Sequence, residues 1–166
     1  MNLYTYRNAT LDDAEKLKLV GLNSFGQFKN QLTVEHWEKL KTYLENEDNY
    51  VYLLSKSTCF ICEFEEEIIG MAFVIPNGNP TDIFQENWAY LRMVGVHTHF
   101  AGNGIGRQLT QMCIDFARTT NEKTIALHTS EFMDAARHIY ETAGFYKYKE
   151  LEPRLGKRYW LYLLEL

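Results

Sequence analysis

Tyr90-Leu-Arg-Met-Val-Gly-Val-His-Thr-His-Phe-Ala-Gly-Asn-Gly-Ile-Gly-Arg107 decides how this chain is read, because it runs from an apolar strand through a short connection into a glycine-rich turn that opens a helix. Gly102, Gly104 and Gly106 alternate, so successive main-chain N–H groups can approach a ligand with no side chain in between. Behind them Ile105, Leu109, Met112, Cys113, Phe116 and Ala117 recur at helical spacing and mark one apolar face. The helix therefore starts at the glycines, where unpaired N–H groups and the positive end of the helix dipole favour a phosphate. The alternative is a glycine-rich turn that binds nothing. Two familiar phosphate motifs fail at this point. A nucleotide-hydrolysing loop needs Gly-Lys-Ser/Thr, and Gly106 is followed by Arg107-Gln108. The dinucleotide fingerprint G-x-G-x-x-G needs its third glycine one residue later than Gly106.

A second run lies downstream. Thr124-Ile-Ala-Leu-His-Thr129 alternates as a strand does, and Phe132-Met-Asp-Ala-Ala-Arg-His-Ile-Tyr-Glu-Thr-Ala-Gly-Phe145 follows it. Phe132, Ala136, Ile139, Tyr140 and Ala143 share one helical face, and Gly144 is placed to end the helix.

Together the two runs resemble the GNAT superfamily of N-acetyltransferases. Ala101-Gly102-Asn103-Gly104-Ile105-Gly106 is similar to its R/Q-x-x-G-x-G/A loop, with Val96 as the strand-end valine and Ala101 in place of the usual Arg or Gln. Ala136, Tyr140, Gly144 and Phe145 match the later A-x-x-x-Y-x-x-x-G-F motif. The resemblance covers about residues 58 to 166 firmly and the N-terminal third in outline. It implies a mixed α/β fold with a largely antiparallel central sheet flanked by helices and split at the motif strand. It also implies acetyl-CoA as co-substrate and no metal. Ala101 to Gly106 would hold the pyrophosphate, with Arg107 adding a charge-assisted contact. Val94, Gly95 and Val96 would pair with the pantetheine like an added strand, Gly95 easing the approach. Met133 stands where relatives carry an asparagine that contacts the co-substrate, and Ala136 lies on the same helix. Tyr140 occupies the position of the general acid, although a tyrosine on an apolar face can equally be core. The strand from Trp88 to Val96 has no carboxylate where many relatives carry a glutamate. Glu86 is then the nearest candidate base, with His97 and His128 behind it and a water chain as the alternative.

Composition sets the bounds. At 166 residues, 46% hydrophobic and 14% aromatic, the chain reads as one domain, residues 1–166, that buries roughly 70% of its unfolded surface. The net charge of −5 argues against nucleic acid and would suit a cationic substrate. No apolar run is long enough for a membrane span, and the opening Met1-Asn-Leu-Tyr-Thr-Tyr-Arg7 lacks the features of a leader, so a cytoplasmic protein is expected. A homodimer is a possible assembly. Cys59, Cys62 and Cys113 form no disulfide framework. Cys59 and Cys62 sit in a strand pattern that points them to opposite faces, against a shared metal.

The remaining elements follow from pattern. A strand is expected over Leu3 to Arg7, then a helix from a capping box at Thr10-Leu-Asp-Asp13. A second helix spans Thr33 to Leu44, with Val34, Trp37, Leu40 and Leu44 aligned. Tyr50 to Ser55 fits a helix or a strand. Thr58 to Glu65 and Glu67 to Ile75 form a hairpin, and Tyr146 to Leu151 pairs with Tyr159 to Leu164 across the turn at Pro153 to Arg158. The polar loop from Pro76 to about Asn87 is long enough for a lid or binding loop. Three activities remain open: an N-acetyltransferase acting on a small-molecule or protein amine, a CoA-binding sensor with little catalysis, and a transferase of a longer acyl group. Ser24 to Gln31, the Pro76 to Asn87 loop and the Leu151 to Arg158 turn would choose the acceptor, with Phe25, Phe28, Phe84 and Trp88 as pocket or core.

Overall fold

The computed structural model describes residues 3–166; the leader reading at Met1 to Arg7 therefore falls partly outside the described residues. A seven-stranded sheet is built from β1 (Thr5–Asn8), β2 (Thr58–Phe64), β3 (Glu67–Ile75), β4 (Ala89–Val96), β5 (Thr124–Ser130), β6 (Tyr146–Arg154) and β7 (Lys157–Glu165), in the order β1-β2-β3-β4-β5-β7-β6. Five α-helices accompany it: α1 (Ala14–Gly26), α2 (Val34–Glu45), α3 (Glu47–Lys56), α4 (Ile105–Thr119) and α5 (Asp134–Thr142). Every pairing is antiparallel except β4 with β5. Those two strands pair only at Ala89–Ile125 and Tyr90–Ala126, so they part beyond Tyr90 and Ala126 and leave a gap in the sheet.

Alternation along the strands sorts the core into two layers. On one face α4 sets Ile105, Leu109, Cys113 and Ala117 against Ala72, Val74, Ala89, Leu91, Ile125 and Leu127. On the other, α1 and α3 set Leu17, Val20, Tyr50 and Leu53 against Ile61, Met71, Phe73, Tyr90 and Ala126. Cys62 belongs to the first layer and Cys59 to the second, as a strand period of two requires, and both are buried free thiols.

The ambiguous stretch around Tyr50 is helical. Asn46 Oδ1 accepts from the Asp48 N–H at 3.0 Å and starts α3, and Tyr50 and Leu53 then fall on one buried face. The Tyr50 hydroxyl donates to the Leu44 carbonyl at 2.8 Å, and Gly21 lets that ring lie directly across α1, where a Cβ would sit 2.2 Å from the hydroxyl. Val34, expected on the apolar face of α2, is 80% exposed because it opens the first turn, while Trp37 and Leu44 carry the packing.

The capping box at Thr10 is present, with the Thr10 N–H donating to Asp13 at 2.8 Å. It starts a 3-10 turn, Leu11–Asp13, that feeds α1. The loop from Pro76 is pinned rather than free: Asn77 donates to Glu122 from its main chain at 3.2 Å and its amide at 2.8 Å. Gly78 N–H donates to Glu86 O at 2.7 Å, and Phe84 is buried, stacked on Tyr90.

Candidate active site

The gap between β4 and β5 is the floor of a cavity of about 1260 Å³. That exceeds the roughly 300–1,000 Å³ of a site for one small ligand and leaves room for two reactants. At one end lies the start of α4. Gly104 is its N-cap at φ +79°, Gly102 stands at φ +82°, and a Cβ on either would meet nothing within 4 Å. Both dihedrals favour glycine, and both α-carbons face open space.

The first turn of α4 has no capping side chain and no acidic residue, and the first helical bond runs from Gln108 N–H to Gly104 O at 3.0 Å. The N–H groups of Ile105, Gly106 and Arg107 therefore have no helical partner and face the mouth of the cavity. This arrangement fits a phosphate-bearing co-substrate. Gly106 packs against α5, a Cβ there lying 3.2 Å from Ile139.

The middle of the cavity is shaped by a bulge. Phe73 pairs with Arg92 and Met71 with Gly95, so two residues of β4, Met93 and Val94, face Ala72 alone, and Met93 takes φ +52°. Beyond the bulge the His97 N–H bonds Ile69 O at 2.7 Å. Alternation then turns the main-chain groups of Val94 and Val96 away from β3 and into the gap. The Val96 N–H is already taken by Ser24 Oγ at 3.2 Å, and Asn23 Oδ1 accepts from Thr98 N–H at 2.8 Å. The end of α1 thus clamps the strand terminus. Gly95 eases this close approach, since a Cβ would sit 3.0 Å from Ser24 Oγ.

Tyr140 lines the same cavity at 6% exposure, and its hydroxyl makes no hydrogen bond among the described residues. Its ring packs with Phe145 and the α4 layer, and burial pushes its pKa well above the ordinary value near 10. The group holds its proton at any physiological pH.

Of the residues singled out from sequence, Val94, Gly95, Val96, Ala101, Gly102, Gly104, Ile105, Gly106, Arg107, Met133, Ala136 and Tyr140 all line this one cavity. Asn103 is absent from its wall; its amide instead closes the loop by donating to Phe100 O at 3.0 Å. Glu86 is exposed and outside the cavity, upstream of the point where the strands part. His97 also lies outside, its Nδ1 accepting from the His99 N–H at 3.1 Å. His128 lines the cavity, but burial, with help from Arg92 and Arg154, pushes its pKa down to about 3.

Phe25 and Phe28 face the cavity, whereas Phe84 and Trp88 are core. Several wall residues carried no sequence signal: His36, Lys39 and Tyr43 of α2 reach the cavity only through tertiary packing. The β6–β7 turn covers them, Leu155 and Gly156 both at positive φ, with Gly156 so near His36 that a Cβ would lie 2.8 Å from the ring. Arg92 had a signal, a charged residue inside an apolar strand.

The family model of the acetyltransferase (GNAT) family matches residues 24–145, most of the chain and all of the strand gap, glycine turn and Tyr140 just described. The chain belongs to the GNAT family. Among solved structures it is similar to the PaiA N-acetyltransferase of Thermoplasma acidophilum in complex with coenzyme A, with a TM-score of 0.80 over 100% of both chains at 12% identity. That likeness is one of fold. Among curated proteins it is 32% identical over 97 residues to the "Probable N-acetyltransferase camello" of Xenopus laevis, 58% of this chain and 42% of that protein. It is 30% identical over 97 residues to human N-acetyltransferase 8B, with the same coverage of 58% and 42%. This GNAT chain therefore spans well under half the length of these curated relatives. No helix among its described residues is long and apolar enough to cross a membrane.

Proposed function

We propose that this GNAT chain transfers the acetyl group of acetyl-CoA to an amine by direct attack within a ternary complex. The observation that carries the reading is the parting of β4 and β5, which joins the uncapped start of α4 to Tyr140 through one cavity. Acetyl-CoA supplies the thioester whose acyl carbon is attacked. The glycine turn and the first turn of α4 hold its pyrophosphate. The Val94 N–H lies on the edge of the gap, where it can donate to the thioester oxygen as negative charge develops there. The amine nitrogen forms its bond to the acyl carbon as the carbon–sulfur bond breaks, and Tyr140 gives its proton to the leaving sulfur. Solvent then restores the proton to Tyr140.

The amine must arrive neutral. Asp82 and Asp134 are the carboxylates in the cavity wall, and each is exposed and paired with an arginine, Arg154 and Arg137 respectively. His128, pushed down to about 3, is a poor base. The amine proton therefore passes to water. Arg92 and Arg154 assist, since nearby positive charge disfavours the ammonium form.

Three reduced, buried cysteines suit the cytoplasmic location included in this reading. A homodimer remains part of it as the commonest assembly of soluble oligomers. Calorimetric titration with acetyl-CoA, CoA and ATP tests the proposal. Saturable binding of both CoA species but not ATP, followed by thiol release with an amine, supports it. Binding without thiol release for any amine would instead identify a sensor, and tighter competition by longer acyl-CoAs a different acyl donor. No CoA binding at millimolar concentration overturns it.

A further inference from the structure

The far end of the cavity, away from the glycine turn, is basic although the chain carries a net charge of −5. Arg92 and His128 lie on the sheet face that carries Tyr90 and Ala126, opposite the face covered by α4. Arg154 of the β6–β7 hairpin and Lys39 of α2 line the same chamber. Arg154 is paired with Asp82 at 3.2 Å, and Asp82 is itself largely exposed. Arg92 is half-buried, yet its guanidinium makes no ion pair or hydrogen bond among the described residues. A guanidinium held partly out of water without a partner is costly, and its planar fork matches a carboxylate. A second orphan lies beside it: His128 Nδ1 is buried with no hydrogen-bond partner among the described residues.

These groups are poorly placed for the CoA phosphates. Arg92 precedes Val96 by four residues of strand, roughly 13 Å at about 3.3 Å per residue, and the glycine turn lies further on still. The bulge at Met93 and Val94, where the thioester oxygen would be held, lies between Arg92 and that turn. Whatever Arg92 binds therefore enters from the acceptor side.

Resting on the acetyltransferase reading and deepening it, we infer that the acceptor is a small amine that carries a carboxylate, held by Arg92 with Arg154 and Lys39 around it. The carboxylate meets Arg92 as a charge-assisted pair, and the amine then points along the gap toward the bulge and Tyr140. A polyamine or a lysine side chain flanked by positive charge would be repelled from the same chamber. The acidity of the whole chain, which suggested a cationic substrate, thus gives way to the local charge of the cavity.

The test is thiol release from acetyl-CoA with glycine, aspartate and glutamate, their α-carboxamides, spermidine and a lysine-containing peptide, for the wild-type chain and the Arg92→Gln and Arg92→Lys variants. At least one carboxylate amine is expected to exceed its carboxamide in kcat/KM by about tenfold or more, the scale of one charged hydrogen-bonded contact. Arg92→Gln should remove that preference through KM, Arg92→Lys should restore part of it, and both should bind acetyl-CoA with wild-type affinity, which also shows that they fold. Equal use of acid and amide, faster turnover of spermidine or the peptide, or acetyl-CoA binding with no carboxylate amine acetylated would overturn the acceptor assignment alone. Loss of acetyl-CoA affinity in Arg92→Gln, with Arg92→Lys normal, would assign the residue to the co-substrate instead. Absence of acetyl-CoA binding by the wild-type chain would bring down the transferase reading and the acceptor assignment with it.

Discussion

Replacing Tyr140 by phenylalanine removes one oxygen from a ring that is otherwise fixed. The ring is 6% exposed and packed with Phe145 and the α4 layer, so its apolar contacts survive the change. The hydroxyl makes no hydrogen bond among the described residues, so no partner is stranded. The stability cost should stay below about 1 kcal/mol, the net worth of one ordinary hydrogen bond. The catalytic cost should be far larger, about 10²- to 10⁴-fold in turnover, if the group is the general acid.

Burial raises the tyrosine pKa, and it would raise that of a thiol formed beside it in the same way. The difference between the two therefore sets the direction of proton transfer. An acid works while protonated, and the raised pKa keeps Tyr140 protonated past pH 10, so its ionisation should produce no fall in rate below that pH. The assay is thiol release at saturating acetyl-CoA and amine, across pH, with thermal melts of both proteins. Unchanged turnover in Tyr140→Phe would refute the assignment. A stability loss well above 1 kcal/mol would refute the claim that the hydroxyl is unpartnered.

Gly104→Val should weaken acetyl-CoA binding by about tenfold or more while leaving the fold intact, because φ +79° costs an L residue about 1–2 kcal/mol and the new side chain would fill the open space at the proposed anion site; calorimetry with undiminished affinity would remove the turn from the site. Asp13 accepts two hydrogen bonds from Arg7, at 2.8 and 3.0 Å, and that pairing holds its carboxyl below the usual range. A depressed folded-state value contributes stability that is complete above the unfolded value near 3.9 and is lost as pH falls through the folded one. Asp13→Asn should accordingly cost about 2 kcal/mol at neutral pH and flatten the acid limb of a denaturant-stability profile, and an unaltered limb would count against the pair. Glu65 and Glu66 close the β2–β3 hairpin at φ 50° and 69°, so Glu65→Asn with Glu66→Gly should raise the melting temperature by about 2–4 °C, with activity unchanged.

Much of the glycine-turn end of the cavity was legible in the primary structure. The glycine turn is contiguous, and its glycines, helix start and strand end all fall between Val96 and Arg107, where local chemistry shows them. Tyr140 was legible for the same reason, as one position in a helix motif. The basic end was not. Lys39, Arg92, His128 and Arg154 come from four different elements, and no spacing along the chain announces that they meet. Glu86 illustrates the converse: near β4 in sequence, it sits outside the cavity, because the loop is turned outward by Asn77 on Glu122 and by the burial of Phe84. Tyr50 to Ser55 was ambiguous for want of length, and the Asn46 cap with the Tyr50–Leu44 bond decided it as helix.

By itself the amino-acid sequence determined what repeats or touches within one turn or one strand: the alternating faces that separate Cys59 from Cys62, the apolar stripe of α4 and the glycines that open it. Only the tertiary structure decided where β4 and β5 part, that Ser24 takes the Val96 N–H, and that the Arg92 guanidinium stands without a partner among the described residues in a basic chamber. Local periodicity is set by backbone geometry, which each segment carries with it. A gap in a sheet and an unmatched charge are properties of what is missing nearby, and that is defined once the whole chain has packed.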